Sequence, residues 1–307
     1  MRTSFLSKPQ PTVTAIQSAL RTVIVTFLVI FICPTGYGKE GFSTSASQMP
    51  NDSKLAWDST FLIAGPLAGG VGVGSSFLVA MAVERNNVRV FLLTNKHVIE
   101  NLCPSIGPCD GVYLTHGAQL LPRSVELIPN GSQSFRVRSL TVEKMSNNPD
   151  LALLSGTVDP EVFAGLRPLR IATSCQPTEI NSVVNIGFPE TALRKSLALD
   201  PLDTPIQEFW SEGIVTSFVS RAGRDGKDAN WLETTADALA GNSGGPAIAS
   251  GMVVGVVTKT YSVPENNFEY TGNEIRKVSQ TALVPCREIT NFLADTKAFI
   301  ASISGHP

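Results

Sequence analysis

The chain has 307 residues, 43% of them hydrophobic and 16% charged, with 24 Lys plus Arg against 26 Asp plus Glu. This length suits one large domain or two closely packed β-barrels, and the composition supports a core and excludes a disordered chain. A net charge of −2 without a strongly basic stretch gives no expectation of a nucleic-acid partner.

Residues 1–38 hold Arg2, Lys8 and Arg21 and no acid. The apolar run TVIVTFLVIFIC follows at 22–33, and then come small residues two apart, Gly36 and Gly38. A basic start, a short apolar stretch and small residues predict a secretory signal peptide over 1–38. The run has 12 residues, where a membrane-spanning helix needs about 20. The alternative is an uncleaved segment that anchors the protein to a membrane through residues 22–33. Ile32 is bulkier than the small residue a lipid-modified cysteine needs before it, which argues against a lipid on Cys33. A secreted or periplasmic location is expected.

Residues 39–56, rich in Ser, Gly, Asn and Gln, read as a flexible leader. From residue 57 onward, short β-like runs alternate with turn residues. They include SSFLVAMAV (75–83), VRVFLLT (88–94), FRVRSLTV (135–142), LALL (151–154), SVVNIGF (182–188), EGIVTSFV (212–219), NWLETTA (230–236) and MVVGVVT (252–258). Phe135 and Val137 alternate with Arg136 and Arg138, the period of a half-buried strand. Only the segment after Pro285, with Ile289, Phe292, Leu293, Phe299, Ile300 and Ile303, has helical spacing. Many strands and one terminal helix predict an all-β, antiparallel barrel architecture.

Five cysteines occur. Cys33 would leave with the signal, and Cys103, Cys109, Cys175 and Cys286 remain, an even number suited to an oxidising compartment. Four cysteines allow three pairings. Closing the short loop CPSIGPC by Cys103–Cys109 would leave Cys175–Cys286; four free thiols are the other outcome.

The most specific local signal is GNSGGP, Gly241 to Pro246. A serine hydroxyl needs a base to become nucleophilic and backbone N–H groups to hold the oxyanion its attack creates. Glycines around it allow the tight turn that presents those groups. The same residues satisfy G-x-S-x-G, the nucleophile elbow of α/β-hydrolases. That elbow should lead into a helix, whereas Pro246 and the β-like MVVGVVT follow here. That fold also places its histidine after the serine, where only His306 stands, next to the end of the sequence. An α/β-type esterase is therefore disfavoured.

Of the three histidines, His97 ends the apolar run VFLLTNKHVI, which would place an imidazole at a barrel rim. His116, in LTHGA, reads as a surface residue. The imidazole needs an acceptor that fixes its tautomer and stabilises the imidazolium. Asp150, in NNPDLALL, stands just before a buried strand, with Pro149 fixing the backbone ahead of it; Asp110 and Asp159 lack such a strand. The order His97, Asp150, Ser243, with gaps of 53 and 93 residues, is the chymotrypsin order.

The motifs TNKHVI, NPDLALL, ETTADALAGNSGGPAI and VVGVVTKT resemble those of trypsin-like serine proteases. GFPE (187–190), EGIVTS (212–217) and ALVP (282–285) resemble the bacterial Deg, or high-temperature-requirement, type, and the likeness spans roughly residues 70–303. The resemblance implies a chymotrypsin-like fold of two antiparallel six-stranded β-barrels with a C-terminal helix. It divides the peptidase domain, 57–307, into a first barrel at about 57–170, a second at about 178–285 and a helix at about 286–303. His97 and Asp150 would come from the first barrel and Ser243 from the second, with the triad in the cleft between them. The N–H groups of Gly241 and Ser243 would form the oxyanion hole. Residues 257–260 (Val257, Thr258, Lys259, Thr260) would bind substrate backbone by edge pairing, and residues 237–242 would wall the primary specificity pocket. A polypeptide substrate is implied, with no metal and no cofactor.

The sequence departs from this pattern in places. Lys96 stands where a small residue usually precedes the histidine; near the imidazole its ammonium would oppose protonation, whereas an extended stem would carry it to solvent. Asn242 replaces the aspartate that pairs with a newly cut N-terminus in digestive members, and no Ile-Val-Gly-Gly stretch lies near residue 60. The cleft is therefore expected to form directly on folding. No peptide-binding PDZ module, usual in the Deg type, is recognisable after the protease. Asp237 lies six residues before Ser243, the spacing of the basic-selective aspartate of trypsin, and also fits a structural aspartate of the Deg group. Thr260, where a glycine often sits at the pocket rim, would narrow the entrance, favouring small or medium apolar residues before the cut. Two functions remain for the fold: an active endopeptidase, or a catalytically silent binding module.

Overall fold

The computed structural model describes residues 46–67, 70–84, 87–103, 105–115, 118–121, 126–129, 138–158, 166–189, 205–206, 208–222, 225–264 and 277–304, all within one compact unit, Glu40–Pro307. The expected signal segment, 1–38, and His116 and His306 lie outside them. Among the described residues no helix is long and apolar enough to cross a membrane.

The described part of the stretch expected to be a flexible leader, 46–56, forms regular turns. Two 3₁₀ turns, Ala46–Gln48 and Asn51–Ser53, lead into α1, Lys54–Asp58. Met49 and Ala56 are buried in the core, and Trp57 packs against it. These three apolar residues anchor a segment whose average composition hides them.

The first half contains β1 (Thr60–Leu67), β2 (Gly70–Glu84), β3 (Asn87–Thr94), the single-turn helix α2 (Lys96–Ile99), β4 (Gly107–Pro108), β5 (Tyr113–Thr115), β6 (Ala118–Leu121), β7 (Glu126–Pro129), β8 (Arg138–Asn147) and β9 (Asp150–Val158). Seven of these strands form one antiparallel sheet in the order β4-β8-β9-β3-β2-β1-β5, in which β4 is only a two-residue strand. Among the described residues no ladder joins β5 to β4. The second half contains β10 (Ser182–Gly187), β11 (Pro205–Ile206), β12 (Phe209–Ala222), β13 (Asp228–Thr234), β14 (Pro246–Ala249), β15 (Met252–Pro264) and β16 (Lys277–Pro285), followed by α3 (Cys286–Ser304). Six of these strands close into a barrel, β10-β12-β13-β16-β15-β14; β11 instead joins β6 and β7 in a small third sheet. The architecture is the chymotrypsin-like arrangement of two antiparallel β-units and a C-terminal helix.

Period-two alternation sends side chains to two different cores. In β9, Ala152 and Leu154 join the interior of the first unit, while Leu151 and Leu153 face the core between the units. In β3, Val90 and Leu92 face the interior, and Phe91 and Leu93 the shared core. In the second unit a β-bulge in β15 opposite Ala247 and Ile248 interrupts the alternation, so that Val254 and Val257 turn inward while Val253 and Val256 join the shared core. Strands buried on both faces read as continuous apolar runs, which is why LALL and VFLL show no polar alternation. Ile289, Phe292 and Leu293 of α3 cover the same shared core. The connection between the units is tied to both: Leu169 N–H donates to Leu78 O (2.9 Å), and Ala172 N–H to Val253 O (2.9 Å).

Two disulfides are formed. Cys103–Cys109, with Cα atoms 5.4 Å apart, closes the loop after α2. Cys175–Cys286, at 5.9 Å, ties the inter-unit connection to the first residue of α3.

Candidate active site

Three elements meet at the groove between the units. The first is the end of β3. After five consecutive buried residues, Val90–Thr94, the chain leaves the sheet at Asn95, which is extended (φ −81°, ψ 149°) and begins α2. Val98 and Ile99 bury the inner face of that single turn, leaving His97 on the groove side with its side chain 29% exposed. The second element is Asp150 at the start of β9. Its carboxylate is 2% exposed; Oδ2 lies 2.6 Å from His97 Nδ1, and Oδ1 accepts the His97 backbone N–H at 3.1 Å. One carboxylate thus satisfies an N–H at the start of α2, which lacks an intrahelical partner, and sets the ring's orientation and tautomer.

The third element is the loop between β13 and β14. Gly241 (φ 99°) and Gly244 (φ 88°) adopt left-handed backbone angles that favour glycine. A Cβ on Gly244 would meet Ser75 O at 2.1 Å and Thr94 Oγ1 at 2.2 Å, and one on Gly245 would meet Ile186 O at 1.9 Å. The glycines therefore let the Ser243 turn press against both units. Gly244 N–H donates to Val257 O (2.8 Å) and Val257 N–H to Gly245 O (2.9 Å), locking the loop to β15.

Ser243 Oγ donates to Thr258 O at 3.0 Å; among the described residues no hydrogen bond joins it to His97. Asn95 completes the connection. Its buried Nδ2 donates to Asp150 O (2.8 Å) and to Thr258 Oγ1 (3.1 Å). A continuous series of contacts thus runs from Ser243 through Thr258 and Asn95 to Asp150 and His97. The sequence reading missed Asn95. Its position directly between a buried strand and the histidine was the only available signal, and its partners are 55 and 163 residues away.

The expected substrate strand is corrected at one position. Both backbone groups of Val257 are used by Gly244 and Gly245, so it is not a free edge; the exposed part of that segment is Lys259 and Thr260, and Thr258 O carries the Ser243 hydroxyl. Thr260 Oγ1 donates to Ala238 O at 2.7 Å, tying this strand to the 237–242 wall. Asp237 is half-buried, and its carbonyl accepts Ser211 Oγ at 2.5 Å. Lys96 reaches Asn147 Oδ1 (2.5 Å) and Glu100 (3.5 Å). Beside Thr260, Tyr261 donates to Glu233, and burial followed by this bond pushes its hydroxyl up to about 12. Among the described residues no cluster of three or more His, Cys, Asp or Glu side chains is placed to hold a metal.

Two packed antiparallel β-units, with a His–Asp pair on one and a glycine-flanked serine turn on the other, define the trypsin-like class. Residues 74–256 match the trypsin-like peptidase domain model, and the chain belongs to that family. No curated protein matches it. Among solved structures it is similar to the Rv3671c protease in its inactive form, at 18% identity over 80% of this chain and 91% of that one, with a TM-score of 0.46. It is also similar to the active form of that protease from M. tuberculosis, at 18% identity over 80% and 83%, with a TM-score of 0.45.

Proposed function

We propose that this protein is a serine endopeptidase in which His97, Asp150 and Ser243 form the catalytic triad. The observation that carries the reading is the His97 Nδ1–Asp150 Oδ2 contact of 2.6 Å beside a serine turn that the glycines press against both units. In the proposed reaction the Ser243 hydroxyl turns from Thr258 O to His97 Nε2, a contact that substrate-free sites often lack. His97 takes the proton as Oγ attacks the peptide carbonyl, then returns it to the departing amine. Asp150 holds the ring and stabilises the imidazolium. The N–H groups of Gly241 and Ser243 receive the oxyanion. Water repeats the sequence on the acyl-enzyme.

Substrate backbone pairs along β15 from Thr258 onward. The Thr260–Ala238 bond narrows the entrance to the pocket, so small or medium apolar residues are favoured before the cut. Two disulfides suit a secreted or periplasmic location, with residues 1–38 acting as the export signal or, uncleaved, as the anchor.

The rival reading is a binding module without turnover, favoured by the Ser243 hydroxyl resting on Thr258 O. A serine-reactive fluorophosphonate decides between them. Labelling at Ser243 that disappears in His97→Ala supports the endopeptidase, while absence of labelling supports the silent module.

A further inference from the structure

Ser75 is fully buried in β2, on the opposite unit from the serine loop. Its backbone N–H donates to Ser243 O at 2.8 Å. Its hydroxyl donates to Gly241 O at 2.8 Å and accepts the Phe188 N–H at 2.9 Å. Its own carbonyl receives Thr94 Oγ1 at 2.7 Å. One residue therefore grips the carbonyls of the two loop residues whose N–H groups the proposed mechanism directs at the oxyanion.

These grips matter because the bonds to β15 hold Gly244 and Gly245, whereas the carbonyls of Gly241 and Ser243 are held by Ser75. Gly241 is in the left-handed region and Gly244 follows Ser243, so little side-chain bulk restrains their peptide planes. Asn242, between the gripped residues, is fully buried, yet among the described residues neither its Oδ1 nor its Nδ2 has a partner. Its amide does not hold the loop. The space around the Ser75 hydroxyl is also reserved: a Cβ on Gly187 would approach Ser75 Oγ to 2.8 Å and Asn242 Cα to 2.9 Å.

We infer that Ser75 is a positioning residue for the reaction: its hydroxyl on Gly241 O and its N–H on Ser243 O hold the two peptide planes that flank the one carrying the Ser243 N–H, and so set the direction in which that N–H meets the oxyanion. This rests on the endopeptidase reading above. Removing an oxyanion donor outright costs about 10² to 10³ in kcat; loosening the loop that carries two of them costs less, about tenfold or more.

The test compares the full chain with Ser75→Ala and with Ser76→Ala, which removes a neighbouring buried hydroxyl that donates to Phe61 O of the adjacent strand β1 at 3.4 Å. Peptide hydrolysis, affinity for a peptide boronic acid, melting temperature and the ¹⁵N-amide resonances of Gly241 and Ser243 are measured. Ser75→Ala should lower kcat at least tenfold with KM within twofold, weaken the boronate by the same factor as kcat/KM, and shift both amide resonances. Ser76→Ala should lower the melting temperature and keep kcat. Wild-type kcat in Ser75→Ala, a change in KM alone, or a kcat loss that Ser76→Ala reproduces at equal destabilisation overturns the inference. An inactive, unlabelled wild type overturns the endopeptidase reading instead, and the amide shifts then still report on the loop. Should Ser75→Ala not accumulate folded, Ser75→Cys, which keeps the shape and only a weak donor, gives the same reading.

Discussion

Asp150 touches His97 through two oxygens, and the two contacts separate under mutation. Asp150→Asn keeps the size of the side chain and can still accept the backbone N–H through its amide oxygen. Its NH₂ then faces Nδ1 and forces the tautomer that leaves Nε2 protonated, unable to act as a base. The expected outcome is a fall in kcat of about 10⁴, with little change in melting temperature; steady-state peptide hydrolysis and thermal melting measure both. In the proposed function, Thr260 is the residue that sets selectivity. Thr260→Gly removes both the side chain at the pocket entrance and its bond to Ala238 O. It should raise kcat/KM for a phenylalanine before the cut by about 10- to 100-fold relative to alanine, since pocket contacts of this kind are worth a few kcal/mol. A peptide library read by mass spectrometry checks it; an unchanged Phe/Ala ratio removes Thr260 from the specificity pocket.

At the level of elements, the disulfides differ in what they constrain. Cys175–Cys286 closes a segment of 111 residues and Cys103–Cys109 one of six. Loop-closure entropy predicts about 5 kcal/mol for the first and about 2 kcal/mol for the second. The variant lacking Cys175 and Cys286 should therefore melt well below the one lacking Cys103 and Cys109. An equal or reversed order in calorimetry shows that α3 is held by Ile289, Phe292 and Leu293 rather than by its covalent tie. The same contrast between local and distant contacts explains what was legible in the sequence. His97, Asp150 and Ser243 each sit at a local signature: a strand ending in a polar turn, a carboxylate opening a buried strand, and a glycine cluster. The two-faced burial of LALL and VFLL was legible as continuous apolar runs. Ser75 and Asn95 were not, because their partners lie 19 to 168 residues away and nothing nearby marks them. The packed segment 46–56 was hidden by its polar composition, and the engagement of Val257 by a pairing that only the folded loop creates.

At the scale of the whole molecule, a buried carboxyl group lies between the N-terminal segment and the second barrel. Glu208, just before β12, is 5% exposed, and among the described residues its Oε1 has no partner. Burial first, and then the neighbouring Asp58 at the end of α1, push its carboxyl well above the usual carboxylate range; burial raises Asp58 as well. A folded-state value above the unfolded one means that the native protein binds the proton more tightly, so unfolding releases it. Stability is then favoured below the ordinary carboxylate range and falls as pH rises through the raised value, where a buried carboxyl group must be ionised. Glu208→Gln keeps the volume and removes the charge. Its melting temperature should match the wild type near pH 4, exceed it at pH 8, and show a flatter profile between. Parallel profiles across that range would show that Glu208 is not ionised against its surroundings in the native protein. The site stands apart from His97 and Ser243 in the contacts described, so the change should leave the intrinsic kcat at pH 8 intact while the folded fraction persists to higher temperature.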